Sequence, residues 1–361
     1  MSSIENARKT INSVDKQMAE LFVKRMEAAE QVFEYKKEHG LPILDEKREK
    51  ELIKANCSYI ENSVYRQYYI DFLQYTMDIS KKYQYRLQSG LKIAYSGVPG
   101  AFAHIAASRI FPDAVLVAHS DFESAYSSVE SGECDAAVLP IENSYAGEVG
   151  NVVDMLFGGN LYINGIYSLE VMQNLLGVKG ATKDDVKTVI SHEQALNQCA
   201  EYIREKSFEK HEASNTAYAA LKVAQNGDKT CAAIASAETA ELYNLEILDR
   251  NINKSNVNTT RFAVVSRVME KNASYTNSVI MFTVSNVAGA LAKAINIIGK
   301  HGFNMTVLRS RPLKDHPWRY YFYIETDRSA ITDDGKKMID ELKECCDRLK
   351  IAGTFAEGAK L

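Results

Sequence analysis

The spacing of apolar positions changes twice along the chain. In residues 1–90 they recur at Ile11, Val14, Met18, Leu21, Phe22, Ala28, Ala29 and Val32, the rhythm of a helix with one buried stripe. Gly40-Leu41-Pro42 ends that helix, and Asp45 opens a second whose first buried residues are Leu52 and Ile53. A third follows, with Phe72, Thr76, Ser80 and Gln84 spaced by four. From Leu91 short apolar runs alternate with helical ones: strand 93–95, a helix beginning near Ala101, strand 115–117, a helix from Asp121, and strand 136–139. A second series begins near Val171, with strands at 186–190 and 232–235, and an apolar run after Thr260 returns the chain to the first lobe. Beyond residue 277 the order becomes β-α-β-β-α-β, with strands 278–284, 303–309, 318–325 and 351–354 and helices 288–300 and 333–349. That order is ferredoxin-like. The predicted fold is multidomain, α followed by α/β: an all-helical region over 1–89, two α/β lobes over 91–268 and a small module over 276–355. Ser89-Gly90 and residues 270–274 serve as linkers.

Composition narrows the class. The 361 residues are 46% hydrophobic and 25% charged, with a formal net charge of −4. That balance gives no reason to expect nucleic acid or an anionic membrane as partner. No apolar run approaches the roughly 20 residues of a membrane helix, and the N-terminus lacks a signal-peptide core. Six cysteines form no Cys-x-x-Cys pair and read as reduced thiols of a cytoplasmic protein. No metal or organic-cofactor motif is present, so none is expected.

Charge placement in the helical region is more informative. It holds 15 basic and 14 acidic residues, so it is not a basic domain. Yet Arg25 and Lys36 fall on its apolar stripe, eleven residues or about three turns apart. Cations directed inward, with Ser80 and Gln84 on one helix face, suit an anionic ligand; snorkelling side chains on a coiled-coil edge are the alternative. Arg8, Arg25, Lys36, Asp45, Arg48, Glu49, Ser80 and Gln84 match in order and spacing the site of the all-helical chorismate mutases, which this region resembles. The resemblance implies an intertwined helical dimer that rearranges chorismate to prephenate. Arg8, Arg25 and Arg48 would bind carboxylates. Lys36 and Gln84 would address the ether oxygen, Glu49 the ring hydroxyl, and Asp45 and Ser80 would complete the pocket. Arg8 and Arg25 are 17 residues, or roughly 25 Å, apart along one helix, so Arg8 is expected to serve the partner's site.

In the α/β region, polar clusters sit at the ends of buried strands: Glu142-Asn143-Ser144 and Ser191-His192-Glu193-Gln194 follow one, and Asn258-Thr259-Thr260-Arg261-Phe262 opens one. Ligands of α/β folds sit at such strand ends. Read alone, Thr260-Arg261 suits a capped strand start with Arg on a surface carboxylate as well as a site. Gly97-x-x-Gly100-x-x-x-His104, Pro140-Ile141-Glu142-Asn143-Ser144, Ser191-His192-x-Gln194, Gln198-Cys199 and Thr260-Arg261-Phe262 together resemble prephenate dehydratase. That family has a two-lobed, periplasmic-binding-protein-like fold. The resemblance implies that Thr260 assists loss of the ring hydroxyl, that Glu142, Asn143, Ser144, Ser191 and Gln198 line the cleft, and that Arg261 holds a carboxylate. Ala101 and Ala103 stand where small hydroxyl residues are frequent in that family. His104 and His192 are acid–base candidates whose usual role is structural.

The C-terminal module carries no apparent catalytic set and, from its pattern alone, could be a dimerisation domain. It resembles an ACT domain through Gly289-Ala290-Leu291. The family's Glu-Ser-Arg-Pro motif is here Arg309-Ser310-Arg311-Pro312. The resemblance implies phenylalanine as effector, held by Asn286, Gly289, Ala290, Leu291 and Ser310, and a homodimer or tetramer. Taken together, the three resemblances predict an isomerase and a lyase on one chain, converting chorismate through prephenate to phenylpyruvate. The rivals are a dehydratase whose helices only dimerise, and a two-lobed amino-acid sensor.

Overall fold

The computed structural model describes residues 3–253, 258–314, 316–356, 358 and 360–361; residues 254–257 of the Asn-rich run before Thr260 lie outside the described residues. The chain divides into two compact units, residues 1–91 and 92–361.

The first unit is three helices, Ser3–Glu38 (α1), Glu46–Cys57 (α2) and Ser63–Ser89 (α3). Asp45 caps α2 by accepting from the Arg48 amide at 3.0 Å, and Asn62 caps α3 through the Val64 and Tyr65 amides. Phe33, Ile43, Leu73 and Met77 are buried. The apolar stripe of α1 has the predicted period but is not buried within one chain: Ile11 is 56%, Leu21 63% and Phe22 42% exposed. Only Phe33 of α1 is buried, because α2 and α3 reach the C-terminal half of that helix alone.

The second unit begins with Lys92–Ser96 (β1), Phe102–Ile110 (α4), Val115–His119 (β2), Phe122–Glu130 (α5), Ala136–Asn143 (β3), Gly147–Glu148 (β4), Gly150–Gly158 (α6) and Tyr162–Glu170 (β5). A second lobe follows: Asn174–Gly177 (β6), Thr188–Ser191 (β7), Glu193–Gln198 (α7), Ala200–Lys206 (α8), Glu209–Glu212 (β8), Thr216–Asn226 (α9), Cys231–Ala235 (β9), Ala237–Leu242 (α10) and Glu246–Asp249 (β10). Its sheet runs β10-β6-β9-β7-β8. The chain then re-enters the first lobe as Thr259–Ser266 (β11), inserted antiparallel between β3 and β5. The two crossings are tied, since the Val171 amide donates to the Asn258 carbonyl at 2.7 Å.

The remainder is Asn277–Thr283 (β12), Ala290–Lys300 (α11), Met305–Pro312 (β13), Tyr320–Thr326 (β14), Asp333–Lys343 (α12) and Arg348–Phe355 (β15). These strands continue the first lobe's sheet in the order β13-β14-β12-β15-β5-β11-β3-β1-β2. Both faces of β12 are buried, as its period-two alternation requires. Ile280 and Phe282 pack with Ile297, Ile298, Met338 and Leu342 of the helices, whereas Val279 and Met281 pack with Leu156, Phe157 and Ile163 of the lobe. The joint between β15 and β5 is the pair Gly353–Ile163. A Cβ at Gly353 would overlap the Ile163 carbonyl, so the close approach depends on glycine.

Two expectations need correction. The last helix stops at Lys343 rather than near 349, because Cys345 and Cys346 turn into the core and the Asp347 amide bonds the Thr283 carbonyl to start β15. Strand β5 was not predicted, although it is the hub on which β11 and β15 both lie. Its Asn164 and Gly165 interrupt the apolar alternation.

Candidate functional sites

In the helical unit, Arg25, Lys36, Asp45, Arg48, Glu49, Ser80 and Gln84 line one cavity of about 320 Å³ with Ala28, Val32, Ile43, Leu52, Met77 and Lys81. Arg25 donates to the Ser80 hydroxyl and, at 3.3 Å, to the Thr76 carbonyl. Burial lowers the Arg25 pKa. The Lys36 ammonium donates to the Ile43 carbonyl at 2.5 Å. The Asp45 carboxylate is already engaged as the α2 cap. Gln84 is buried, and its Oε1 has no partner among the described residues. A buried polar atom left so costs about 1–3 kcal/mol unless a ligand answers it. Arg8 does not line the cavity; it lies exposed toward the far end of α1. Lys81, which sequence reasoning passed over, bonds Glu49 at 2.8 Å and Asp78 at 3.0 Å; its pKa is raised chiefly by the bond to Glu49. The helical period did not mark it, since a residue directly after Ser80 is turned about 100° from the predicted face.

In the second unit a polar chain crosses the boundary between lobes. Thr260 and Asn143 are direct cross-strand partners. Asn143 Nδ2 donates to Thr260 Oγ1 at 2.9 Å and to Asn258 Oδ1 at 2.8 Å. Its Oδ1 accepts from the Tyr145 and Ala146 amides, which fixes which way the amide faces. Asn258 in turn donates to Gln198 of α7 at 2.9 Å, and Gln194 reaches Asn143 at 3.4 Å. Thr260, Asn143, Asn258 and Gln198 are all buried. Asn258 heads the polar stretch marked in the sequence, which assigns it no role; the structure buries it between Asn143 and Gln198.

Gly97 and Gly100 of the first lobe's loop have φ of 98° and 88°, the left-handed region that side chains avoid. The second lobe holds this loop: Thr239 Oγ1 donates to the Gly100 carbonyl at 3.0 Å and the Tyr243 hydroxyl to the Pro99 carbonyl at 2.7 Å. His104 accepts from the Gly100 amide at 3.2 Å and packs edge-on against Tyr95. His192 accepts from the Gln194 amide to cap α7. Both histidines therefore have structural engagements.

The other expected cleft residues lie elsewhere. Ser191 is fully buried and donates to the Ile234 carbonyl at 2.6 Å. Ser144 pairs with Thr259, its hydroxyl accepting from that amide at 2.9 Å. Glu142 and Arg261 form the next cross-strand pair after Asn143–Thr260 and so point to the opposite face of the sheet. There Arg261 bonds Glu142 at 3.1 Å and Glu325 at 2.9 and 2.6 Å. Burial opposes the Arg261 charge, but Glu325 and then Glu142 outweigh it and raise its pKa. Arg261 is thus committed to carboxylates of the protein, and the expectation that it holds a substrate carboxylate in the cleft is corrected. So is the placement of Glu142 in the cleft wall.

Asn286 and Gly289 are exposed, Ala290 and Leu291 open α11, and Ser310 is exposed on β13 between Arg309 and Arg311. Gly289 lines a shallow hollow of about 440 Å³ with Ala292, Lys293, Asn296 and Lys300; Ser310 is not among its lining residues.

The prephenate dehydratase family pattern matches residues 93–270 and that of chorismate mutase type II matches residues 7–85. A bifunctional chorismate mutase/prephenate dehydratase of Aquifex aeolicus is 30% identical over 367 residues, covering 98% of both chains. The chain belongs to the bifunctional chorismate mutase/prephenate dehydratase family. Residues 7–85 are accordingly a chorismate mutase domain and residues 93–270 a prephenate dehydratase domain: the enzyme rearranges chorismate to prephenate and converts prephenate to phenylpyruvate, in phenylalanine biosynthesis. A chloroplastic arogenate dehydratase/prephenate dehydratase of Arabidopsis thaliana is 33% identical over 284 residues, 74% of this chain and 72% of that one. Among solved structures, GqqA, described as a novel type of quorum quenching acylase, aligns with a TM-score of 0.69 at 31% identity, over 74% of this chain and 98% of that one. The prephenate dehydratase of Arthrobacter aurescens in complex with L-Phe aligns with a TM-score of 0.68 at 24% identity, over 74% of this chain and 90% of that one.

Proposed function

We propose that Thr260 is the dehydratase's proton donor and that Asn143 makes it one. The carrying observation is the hydrogen bond from Asn143 Nδ2 to Thr260 Oγ1. An alcohol is a weak acid and a poor general acid on its own. With one oxygen lone pair occupied by the amide, the threonine O–H is polarised and free to point at the substrate. Loss of CO2 sends the C–C bonding electrons into the ring, the ring C–O bond breaks, the departing hydroxide takes the Thr260 proton to leave as water, and solvent returns a proton to the threonine oxygen. Gln198 and Asn258 complete the polar wall, while Ser191 and Ser144 hold its backbone. With Arg261 turned away, it has no part in binding substrate.

In the mutase cavity, Arg25 and Arg48 bind carboxylates, and Lys36 and Gln84 stabilise the charge that develops on the ether oxygen. Glu49, held by Lys81, meets the ring hydroxyl, and Asp45 and Ser80 complete the pocket. The rearrangement needs no nucleophile; holding the reactive conformer in a dry, charged cavity suffices. The exposed α1 stripe pairs with that of a second copy, whose Arg8 completes the site, making a homodimer the minimum assembly. The module over 276–355 is an ACT domain that binds phenylalanine through Asn286, Gly289, Ala290, Leu291 and Ser310, a reading supported by the L-Phe complex of the Arthrobacter relative. The enzyme works in the cytoplasm with its cysteines free.

A proton NMR time course with chorismate alone tests this. Prephenate is expected to appear and give way to phenylpyruvate, and Thr260→Ala to stop the course at prephenate. Phenylpyruvate formed by Thr260→Ala at the parental rate would overturn the assignment.

A further inference from the structure

Behind the dehydratase pair, on the sheet face away from Thr260, four carboxylates and four cations interlock. Glu142 and Glu148 of β3–β4 and Asp154 of α6 belong to the first lobe, as does Arg261; Glu325, Arg309, Arg311 and Lys314 belong to the C-terminal module. Arg309 pairs with Glu142 and, at 3.6 Å, with Glu148. Arg311 bonds Asp154 at 2.8 and 3.1 Å and also pairs with Glu148. Lys314 and the Tyr321 hydroxyl reach Asp154 at 3.2 and 2.7 Å. Glu325, whose side chain is 4% exposed, accepts from Arg261 and from the Tyr323 hydroxyl at 2.8 Å. Lys314 is 71% exposed, but the other seven side chains are no more than 25% exposed and depend on their partners.

We propose that Arg309 is a positioning residue for the dehydratase reaction: through Glu142 it fixes the strand ends that carry Asn143 and Thr260. Three observations carry this. Glu142 directly precedes Asn143, and Arg261 directly follows Thr260, so the clamped pair is covalently adjacent to the reacting pair. The β11–β3 ladder shifts register between Arg261 and Phe262, passing from Arg261–Glu142 to Phe262–Pro140. Backbone pairing is locally disrupted at such a bulge, and Pro140 has no amide to offer, so side chains must hold the strand mouth. Finally, Arg309 balances the cluster. A carboxylate at 309 would face Glu142 and Glu148 with no added cation, so the Arg-Ser-Arg-Pro form belongs to this particular interface. Ser310 lies on the same strand as Arg309 and alternates to its other face, so a ligand contacting Ser310 would bear on the strand that carries the clamp.

The inference rests on the Thr260–Asn143 reading and is separable from it. Steady-state kinetics of the full-length enzyme on prephenate and on chorismate are the test. Arg309→Gln is expected to lower prephenate kcat about fivefold or more, with KM within about twofold and chorismate turnover unchanged, because misplaced donors cost rate more than binding. Arg309→Lys should recover most of that kcat. Arg309→Gln should add little when Glu142→Gln is already present, since both remove one interaction. A prephenate kcat within about twofold of the parent, or losses that multiply fully in the double variant, would overturn the proposal. If Arg309→Gln does not fold, the same cycle is run with Arg309→Met, which keeps the aliphatic stem and removes the charge, and absence of coupling to Glu142→Gln overturns it. Thr260→Ala, measured alongside, separates the two ideas: if it keeps full turnover, the catalytic assignment has failed rather than the clamp.

Discussion

In the proposed dehydratase site, the Thr260 hydroxyl depends on its neighbour Asn143. Asn143 has both ends specified, its oxygen by two backbone amides and its nitrogen by Thr260 and Asn258. Asn143→Ala should therefore lower prephenate turnover by about 10²-fold, the usual cost of one well-aimed donor, and leave chorismate turnover intact in the same preparation. Thr260 itself was readable from the sequence, as a hydroxyl at the mouth of an apolar strand. The direction of Arg261 follows from strand geometry: adjacent residues of a strand face opposite ways, so Thr260 and Arg261 do not both line one cleft. What no local pattern could supply was the partner Glu325, 64 residues further on. In the mutase cavity the helical period brought Ser80 and Gln84 to one face correctly, but it carried no hint that Lys81 would reach across to Glu49.

Elements were legible where their pattern was regular. The helices after Asp45 and Asp121 begin where the capping residues stand, and β12 announces itself as a continuous apolar run. Strand β5 escaped because Asn164 and Gly165 break its alternation, and α12 was overextended because a helical period cannot foresee that β15 claims residues from 348. The β15–β5 joint is a place where one methyl group decides. Gly353→Ala should destabilise the enzyme by about 1–3 kcal/mol, read as a lowered melting midpoint, because the added carbon meets backbone that cannot rotate aside. Acid should loosen the clamp between β3, α6 and β13. Burial alone would raise the pKa values of Glu142 and Asp154, but Arg309 and Arg261 for the first, and Arg311, Tyr321 and Lys314 for the second, bring both below their ordinary 4.5 and 3.8. A carboxylate lowered in the folded state contributes stability that is fully present above pH 4.5 and is lost as pH falls through the folded values. Unfolding titrations should show that loss below pH 4.5, and Arg309→Gln should shrink it.

For the whole molecule, the α1 stripe carries the main expectation. Leu21 is 63% and Phe22 42% exposed, and the proposed homodimer would cover them. Sedimentation should find at least a dimer. Leu21→Glu should reduce mutase turnover by about tenfold or more while prephenate turnover stays near parental, because a charge would then sit in the paired seam. The sequence supported this reading as far as the geometry of one straight helix allows: Arg8 and Arg25 are too far apart to serve the same small ligand. The cavity within one chain gathers Arg25 and leaves Arg8 outside.

The placement of β11 has a consequence for the order in which the protein is built. Emerging from the ribosome, β1, β2, β3 and β5 come first, yet β3 and β5 are joined only through β11, which is made after the entire second lobe. That lobe draws its sheet from residues 174–249 alone and can close as soon as it is synthesised. The smaller lobe is thus finished while the larger still has an open slot at its centre, lined by unpaired strand edges of the kind that invite wrong partners. Thr260 arrives with the strand that fills the slot, so the hydroxyl proposed as proton donor and the closure of the nascent lobe are delivered by the same eight residues.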